Sequence, residues 1–69
     1  MNEQKTTDAL DPFARFHKIY DNLPLEERKR VIVVINNEPM SWEIARVELN
    51  NKTKIGDQIL KKLIELLII

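Results

Sequence analysis

Hydrophobic residues recur at helical spacing near the beginning of the chain. Asp11 followed by Pro12 is typical of a helix start, because Asp caps the first turn and Pro fits the first helical position. The apolar residues that follow are spaced by three or four positions and share one helix face: Phe13, Phe16, Tyr20 and Leu23. The pattern predicts a helix over about residues 11–22. Residues 1–10 show no apolar period and are predicted to form a disordered leader.

The residues after Pro39 predict two more helices joined by a short polar turn. Ser41 is a natural cap for a helix that runs to about Leu49, and Thr53 can cap a second helix. The apolar stripe of the first consists of Trp42, Ala45 and Leu49, with Ile44 beside it. The second stripe is Ile55, Ile59, Leu63 and Leu66, widened by Leu60, Ile64 and Leu67. We interpret Asn50-Asn51 as the turn, since asparagine tolerates the left-handed backbone that ends helices.

The middle segment, from Pro24 to Asn37, allows two interpretations. Glu26 and Glu27 favour a helix, because negative charge stabilises a helix N-terminus. The run Val31–Ile35 is β-branched, which favours a strand. We favour the helix, which makes the fold all-α: a three-helix helix-turn-helix core with an extra N-terminal helix, in a single helical domain over residues 11–69. The alternative is an α+β fold with a short β-hairpin at residues 31–42.

Composition excludes several classes of function. The chain has no cysteine, which rules out disulfides and thiolate metal sites. His17 is the one histidine and Gly56 the one glycine, so neither a catalytic triad nor a phosphate-binding glycine loop is supported. We therefore expect a protein that is not an enzyme and has no cofactor or metal. No apolar run is long enough to span a membrane and no signal peptide is visible, so we expect a cytoplasmic protein.

Charge is balanced overall but unevenly distributed. The formal net charge is zero, which counts against strong nucleic-acid binding. Residues 1–27 hold three basic and six acidic side chains, whereas residues 28–69 hold eight basic and five acidic ones. The half that carries the two capped helices is therefore the basic half.

The phrases PMSWEIA and ILKKLIELLII resemble the winged-helix and helix-turn-helix superfamily of transcription regulators. The resemblance covers residues 24–69 and includes a small residue, Ala45, where the first helix crosses its neighbour. Three features depart from the family pattern: the turn carries Asn50-Asn51-Lys52 without a glycine, the spacing from Ala45 to Leu60 is one residue longer, and Leu67 stands where the family has a glycine before its β-wing. The wing is absent.

The resemblance implies a small DNA-binding transcription regulator that acts as a dimer on double-stranded DNA. The last helix would then enter a major groove. The candidate nucleic-acid contacts are Ser41, Arg46, Lys52, Thr53, Lys54, Gln58, Lys61 and Lys62. A solvated helix face with scattered lysines is the plainer interpretation, and Asp57 lies in the middle of the supposed contact face.

An apolar tail, Leu66-Leu67-Ile68-Ile69, follows the last helix. Exposed apolar residues tend to associate in water, so we expect the tail to fold back on the core, to pair with a second copy or to bind another protein. We assign a partner or dimer interface to this tail together with Phe13 and Phe16. The alternative function is therefore a non-enzymatic helical adaptor, or an accessory subunit that binds another protein of the replication or transcription machinery.

Overall fold

The computed structural model describes residues 11–69. The helices are α1 (Pro12–Asp21), α2 (Leu25–Arg28), α3 (Trp42–Asn50) and α4 (Lys54–Glu65). The strands are β1 (Val31–Ile35) and β2 (Glu38–Ser41), which lie between α2 and α3. The predicted disordered leader, residues 1–10, lies outside the described residues.

The prediction of an all-α fold is wrong, because Val31–Ile35 is a strand paired antiparallel with β2. The fold is α+β, which was the alternative that we considered. Helix α2 does begin after Pro24 with Glu26 and Glu27 in its first turn, but it lasts one turn. The acidic residues therefore mark a helix start correctly, and the β-branched run beyond them ends the helix.

The turn at Asn36-Asn37 fixes the hairpin. Both residues have positive φ angles, 52° and 67°. A type I′ turn requires two consecutive left-handed residues, and its twist matches that of the paired strands. Asparagine adopts this backbone more readily than most residues. The register pairs Ile35 with Glu38, and a β-bulge interrupts β1 between Val31 and Val33.

The helices cover one face of the hairpin. β1 packs against α4, and β2 packs against α3. Alternation along the strands turns Val33, Ile35 and Met40 inward and leaves Val34 and Pro39 exposed. The buried core contains Phe16, Tyr20, Val33, Ile35, Met40, Trp42, Ala45, Leu49, Ile59 and Leu63.

The predicted helix caps are confirmed. Asp11 accepts a hydrogen bond from the Ala14 N–H, and Ser41 accepts one from the Ile44 N–H. Thr53 caps α4 in the same way. In the described part of the chain, no helix has both the length and the apolar character needed to cross a bilayer.

Candidate interaction surfaces

The joint between α3 and α4 is held by one threonine. The Thr53 hydroxyl accepts a hydrogen bond from the Gly56 N–H at 2.9 Å and donates to the side-chain carboxylate of Glu48. Gly56 is buried against the end of α3, where a Cβ would lie 2.6 Å from the Glu48 carbonyl oxygen. The two helices can approach this closely only because residue 56 has no side chain. Their relative position is therefore fixed by backbone contact.

Helix α3 ends in a Schellman motif with a lysine in the left-handed position. The Thr53 N–H donates to Glu48 O, the Lys52 N–H donates to Leu49 O, and Lys52 has a φ of 54°. The prediction that Asn50-Asn51 supplies the left-handed residue is wrong, because Asn51 has a φ of −87°. Lys52 is exposed at the joint.

The outer face of α4 carries part of the predicted nucleic-acid surface. Lys54, Gln58 and Lys61 are exposed along one side of the helix, opposite the buried Ile59 and Leu63. Asp57 is exposed among them. Three of the predicted contacts therefore share one exposed face of α4, and Lys52 lies at the start of that face. The carboxylate of Asp57, which would repel a phosphate, lies on the same face.

Other predicted contacts are engaged within the chain. Ser41 is buried, and its hydroxyl caps α3. The Arg46 guanidinium lies over the Tyr20 ring, 5.3 Å from its centroid. The Lys62 ammonium is 3.0 Å from the Glu65 carboxylate, and Thr53 makes the hydrogen bonds of the joint. Each of these four side chains therefore already has a partner within the chain.

The tail after α4 divides into two pairs. Ile68 and Ile69 are partly buried against the core, whereas Leu66 and Leu67 are exposed. The Ile68 N–H donates to Leu63 O and the Leu67 N–H donates to Ile64 O, which is again a Schellman motif. Leu67 is its left-handed residue, with a φ of 60° and 87% of its surface exposed. With the exposed Ile64, Leu66 and Leu67 form an apolar surface, here called the tail patch.

The two predicted interface aromatics differ in exposure. Phe16 is 0% exposed, stacks on Tyr20 and lies tilted against Trp42 in the core. Phe13 is 37% exposed and lies edge-on to His17. Assigning Phe16 to an interface is therefore wrong, because no partner can reach it in the folded chain. Phe13 remains accessible.

Sequence reasoning missed two further exposed apolar pairs. Val31 and Val34 project from β1, and Ile44 and Val47 project from the solvent side of α3. The first pair was missed because Val31–Ile35 was interpreted as a helix. The spacing of three between Ile44 and Val47 was a signal for the second, since it lies outside the Trp42 and Ala45 stripe.

Clefts and clusters of ligating side chains are the places where a small ligand could bind. The His, Cys, Asp and Glu side chains of the described residues form no cluster able to hold a metal ion. A cleft of about 430 Å³ between the start of α1 and the joint is lined by Asp11, Phe13, Leu49, Lys52, Gly56, Asp57 and Leu60. That lining combines two carboxylates, Asp11 and Asp57, with the ammonium of Lys52, and the rest of it is apolar.

Comparisons with known proteins identify no relative of this chain. No family model, no curated protein and no solved structure matches this chain. The resemblance to helix-turn-helix regulators therefore stays a prediction from the sequence pattern.

Proposed function

We propose that this protein is a non-enzymatic docking module that binds another protein through the tail patch. The observation that supports this most strongly is the state of Leu67. A left-handed backbone costs a leucine about 1–2 kcal/mol, and its side chain gains little burial in return at 87% exposure. A glycine would hold the same turn without either cost. A partner that buries the leucine side chain would offset both.

The neighbours of Leu67 extend the same surface. Leu66 and Ile64 are exposed beside it, and the adjacent Lys62–Glu65 pair carries no net charge. A small apolar surface with a neutral rim fits an apolar cleft on a partner protein. Burying these side chains in such a cleft is favourable in proportion to the apolar area that is removed from water.

Site-specific photo-crosslinking tests the proposal. A photoreactive phenylalanine replaces Leu67 in one variant and Val47, an exposed apolar residue of α3, in the control. Both are added to a lysate of the native cells. We expect a discrete adduct from position 67 alone. An excess of unlabelled wild-type protein should suppress that adduct, whereas an excess of the Leu67→Gly variant should not. Equal adducts from both positions, or no adduct at 67, would refute the docking role.

A second candidate function, DNA contact, rests on the outer face of α4. The regulator analogy no longer supports it, because that analogy required Val31–Ile35 to be a helix and the segment is a strand paired with β2. What remains is the rigid α3–α4 joint with Lys52, Lys54, Gln58 and Lys61 exposed near it. Lysines on such a face suit phosphates, and Gln can bond adenine.

A charge-matched comparison tests DNA contact. Lys54→Glu with Lys61→Glu is compared with Lys18→Glu with Lys29→Glu, which makes the same charge change at exposed lysines elsewhere. If α4 contacts DNA, the first pair abolishes binding to a random-sequence duplex and the second retains most of it. Wild-type affinity should also fall by at least about tenfold between 50 and 200 mM salt. Equal losses in the two double variants would exclude a specific α4 surface.

A further inference from the structure

The two edges of the hairpin are not equivalent. Ile35 and Glu38 flank the two-residue turn, so they form the hydrogen-bonded pair that closes it. Pairs alternate along an antiparallel ladder, so the next pair, Val34 with Pro39, directs its backbone groups away from the hairpin. On β2 that residue is a proline, which has no N–H. On β1 it is Val34, which presents both an N–H and a C=O.

The outer edge of β1 is apolar. Within residues 11–69, β2 is the only strand that pairs with β1. Val34 and Val31 are both 58% exposed. Unpaired edges with β-branched apolar side chains are templates for another strand, and natural proteins blunt the edges that they do not use. Here Pro39 leaves the β2 edge without an outward N–H, whereas Val34, its partner on β1, keeps an N–H that can pair with another strand.

We infer that β1 pairs antiparallel with β1 of a second copy of this chain, about a two-fold axis at Val34. The register follows from the outward N–H and C=O of Val34, which bond reciprocally to those of the second copy's Val34. The result is a four-stranded sheet in the order β2, β1, β1, β2. Each outer edge of that sheet carries Pro39, so assembly closes at two copies and does not continue into a fibre.

Charge favours the antiparallel orientation. The basic triplet Arg28-Lys29-Arg30 precedes β1, and the turn with Glu38 follows it. Antiparallel pairing sends the two triplets to opposite ends of the sheet and places each near the other copy's turn. Parallel pairing would place the two triplets side by side, and the Glu27 that pairs with each Arg30 would offset only part of their repulsion. A second copy is therefore the occupant that this edge fits.

Two single-cysteine variants test the register, because the chain has no cysteine of its own. In the proposed dimer the Cα atoms of the two Val34 residues lie about 5.5 Å apart, within disulfide range. The two Val31 residues, although equally exposed, lie about 20 Å apart. Under mild oxidation we expect Val34→Cys to form a covalent dimer at least about tenfold faster than Val31→Cys. Equal rates, or no dimer from Val34→Cys, overturn the inference.

A second pair of variants tests the edge without a cross-link. Val34→Pro removes the outward N–H while sparing the hairpin's own hydrogen bonds, and Val34→Thr keeps the N–H in a side chain of similar shape. Three paired residues bury little area, so the dimer should be weak and is followed by sedimentation at up to about 1 mM protein. We expect Val34→Thr to dimerise and a folded Val34→Pro to stay monomeric. A folded Val34→Pro that dimerises like wild type contradicts the register.

This edge is independent of the tail patch. Leu67→Gly should leave the Val34→Cys cross-link unchanged, so the β1 dimer and the docking role of Leu67 can fail separately. Loss of the cross-link on Leu67→Gly would instead assign self-association to the tail patch and overturn pairing through β1.

Discussion

Gly56 lies so close to Glu48 that a Cβ at residue 56 would sit 2.6 Å from the Glu48 carbonyl oxygen. Alanine is ordinarily the better helix former by about 1 kcal/mol. Here the contact is with the backbone of α3, which cannot rotate away as a side chain could. The missing side chain therefore sets the distance between α3 and α4.

The first prediction is that Gly56→Ala destabilises the protein in spite of the higher helix propensity of alanine. We expect the free energy of unfolding to fall by about 2 kcal/mol, because a backbone clash forces α4 away from α3. Urea unfolding followed by circular dichroism measures it. The control Lys61→Ala, at an exposed position of α4, should change little. A Gly56→Ala variant as stable as wild type would show that the helices can separate freely.

A second prediction concerns Leu67, which has a φ of 60°. Leu67→Gly should raise the free energy of unfolding by about 0.5–1 kcal/mol, since relief of the left-handed strain exceeds the entropy that glycine adds to the unfolded chain. Leu66→Gly is the matched control, because its φ of −84° holds no such strain, and it should not stabilise. Thermal unfolding compares the two. Equal effects would mean that the strain at Leu67 is negligible.

The hairpin turn gives a third prediction. Asn37→Gly should stabilise the fold by about 0.5 kcal/mol, because Asn-Gly is the preferred pair for a type I′ turn. Asn51→Gly is the control, since Asn51 has a negative φ and glycine there only adds unfolded-state entropy. We expect the melting temperature to rise for the first variant and to fall for the second. The opposite order would exclude a type I′ turn at Asn36-Asn37.

The two aromatics of α1 give a fourth prediction. Phe16→Ala should cost about 3–5 kcal/mol, enough to unfold a domain of this size, because the ring is fully buried. Phe13→Ala should cost less than about 1 kcal/mol at 37% exposure. Far-UV circular dichroism at 25 °C separates the two. A Phe16→Ala variant that stays folded would show that the core does not depend on the Phe16 ring.

Local signals in the sequence predicted much of the helical framework. The caps at Asp11, Ser41 and Thr53 are where the pattern placed them, because a capping side chain acts on N–H groups two or three residues away. The start of α2 was visible from Glu26 and Glu27, because negative charge in the first turn stabilises a helix N-terminus. Its end was not, because a helix and a strand both accommodate Val31–Ile35 until their neighbours are known.

The candidate surfaces were predicted less well, because exposure depends on which residues pack together. Lys54, Gln58 and Lys61 were predicted as an outer face and do lie exposed on α4. Ser41 and Arg46 were predicted on the same surface, yet one is buried as a cap and the other packs over Tyr20. The sequence does not show that a polar side chain has a partner in its own chain.

The sequence by itself determined the positions of three helices and their caps, since periodicity and capping act over a single turn of chain. Tertiary structure alone decided that Val31–Ile35 is extended, because burying Val33 and Ile35 against α4 while pairing with β2 satisfies both their side chains and their backbone. It also decided which apolar residues stay in solvent. Val34 and Leu67 are as hydrophobic as their buried neighbours, and only the arrangement of the packed elements leaves them exposed.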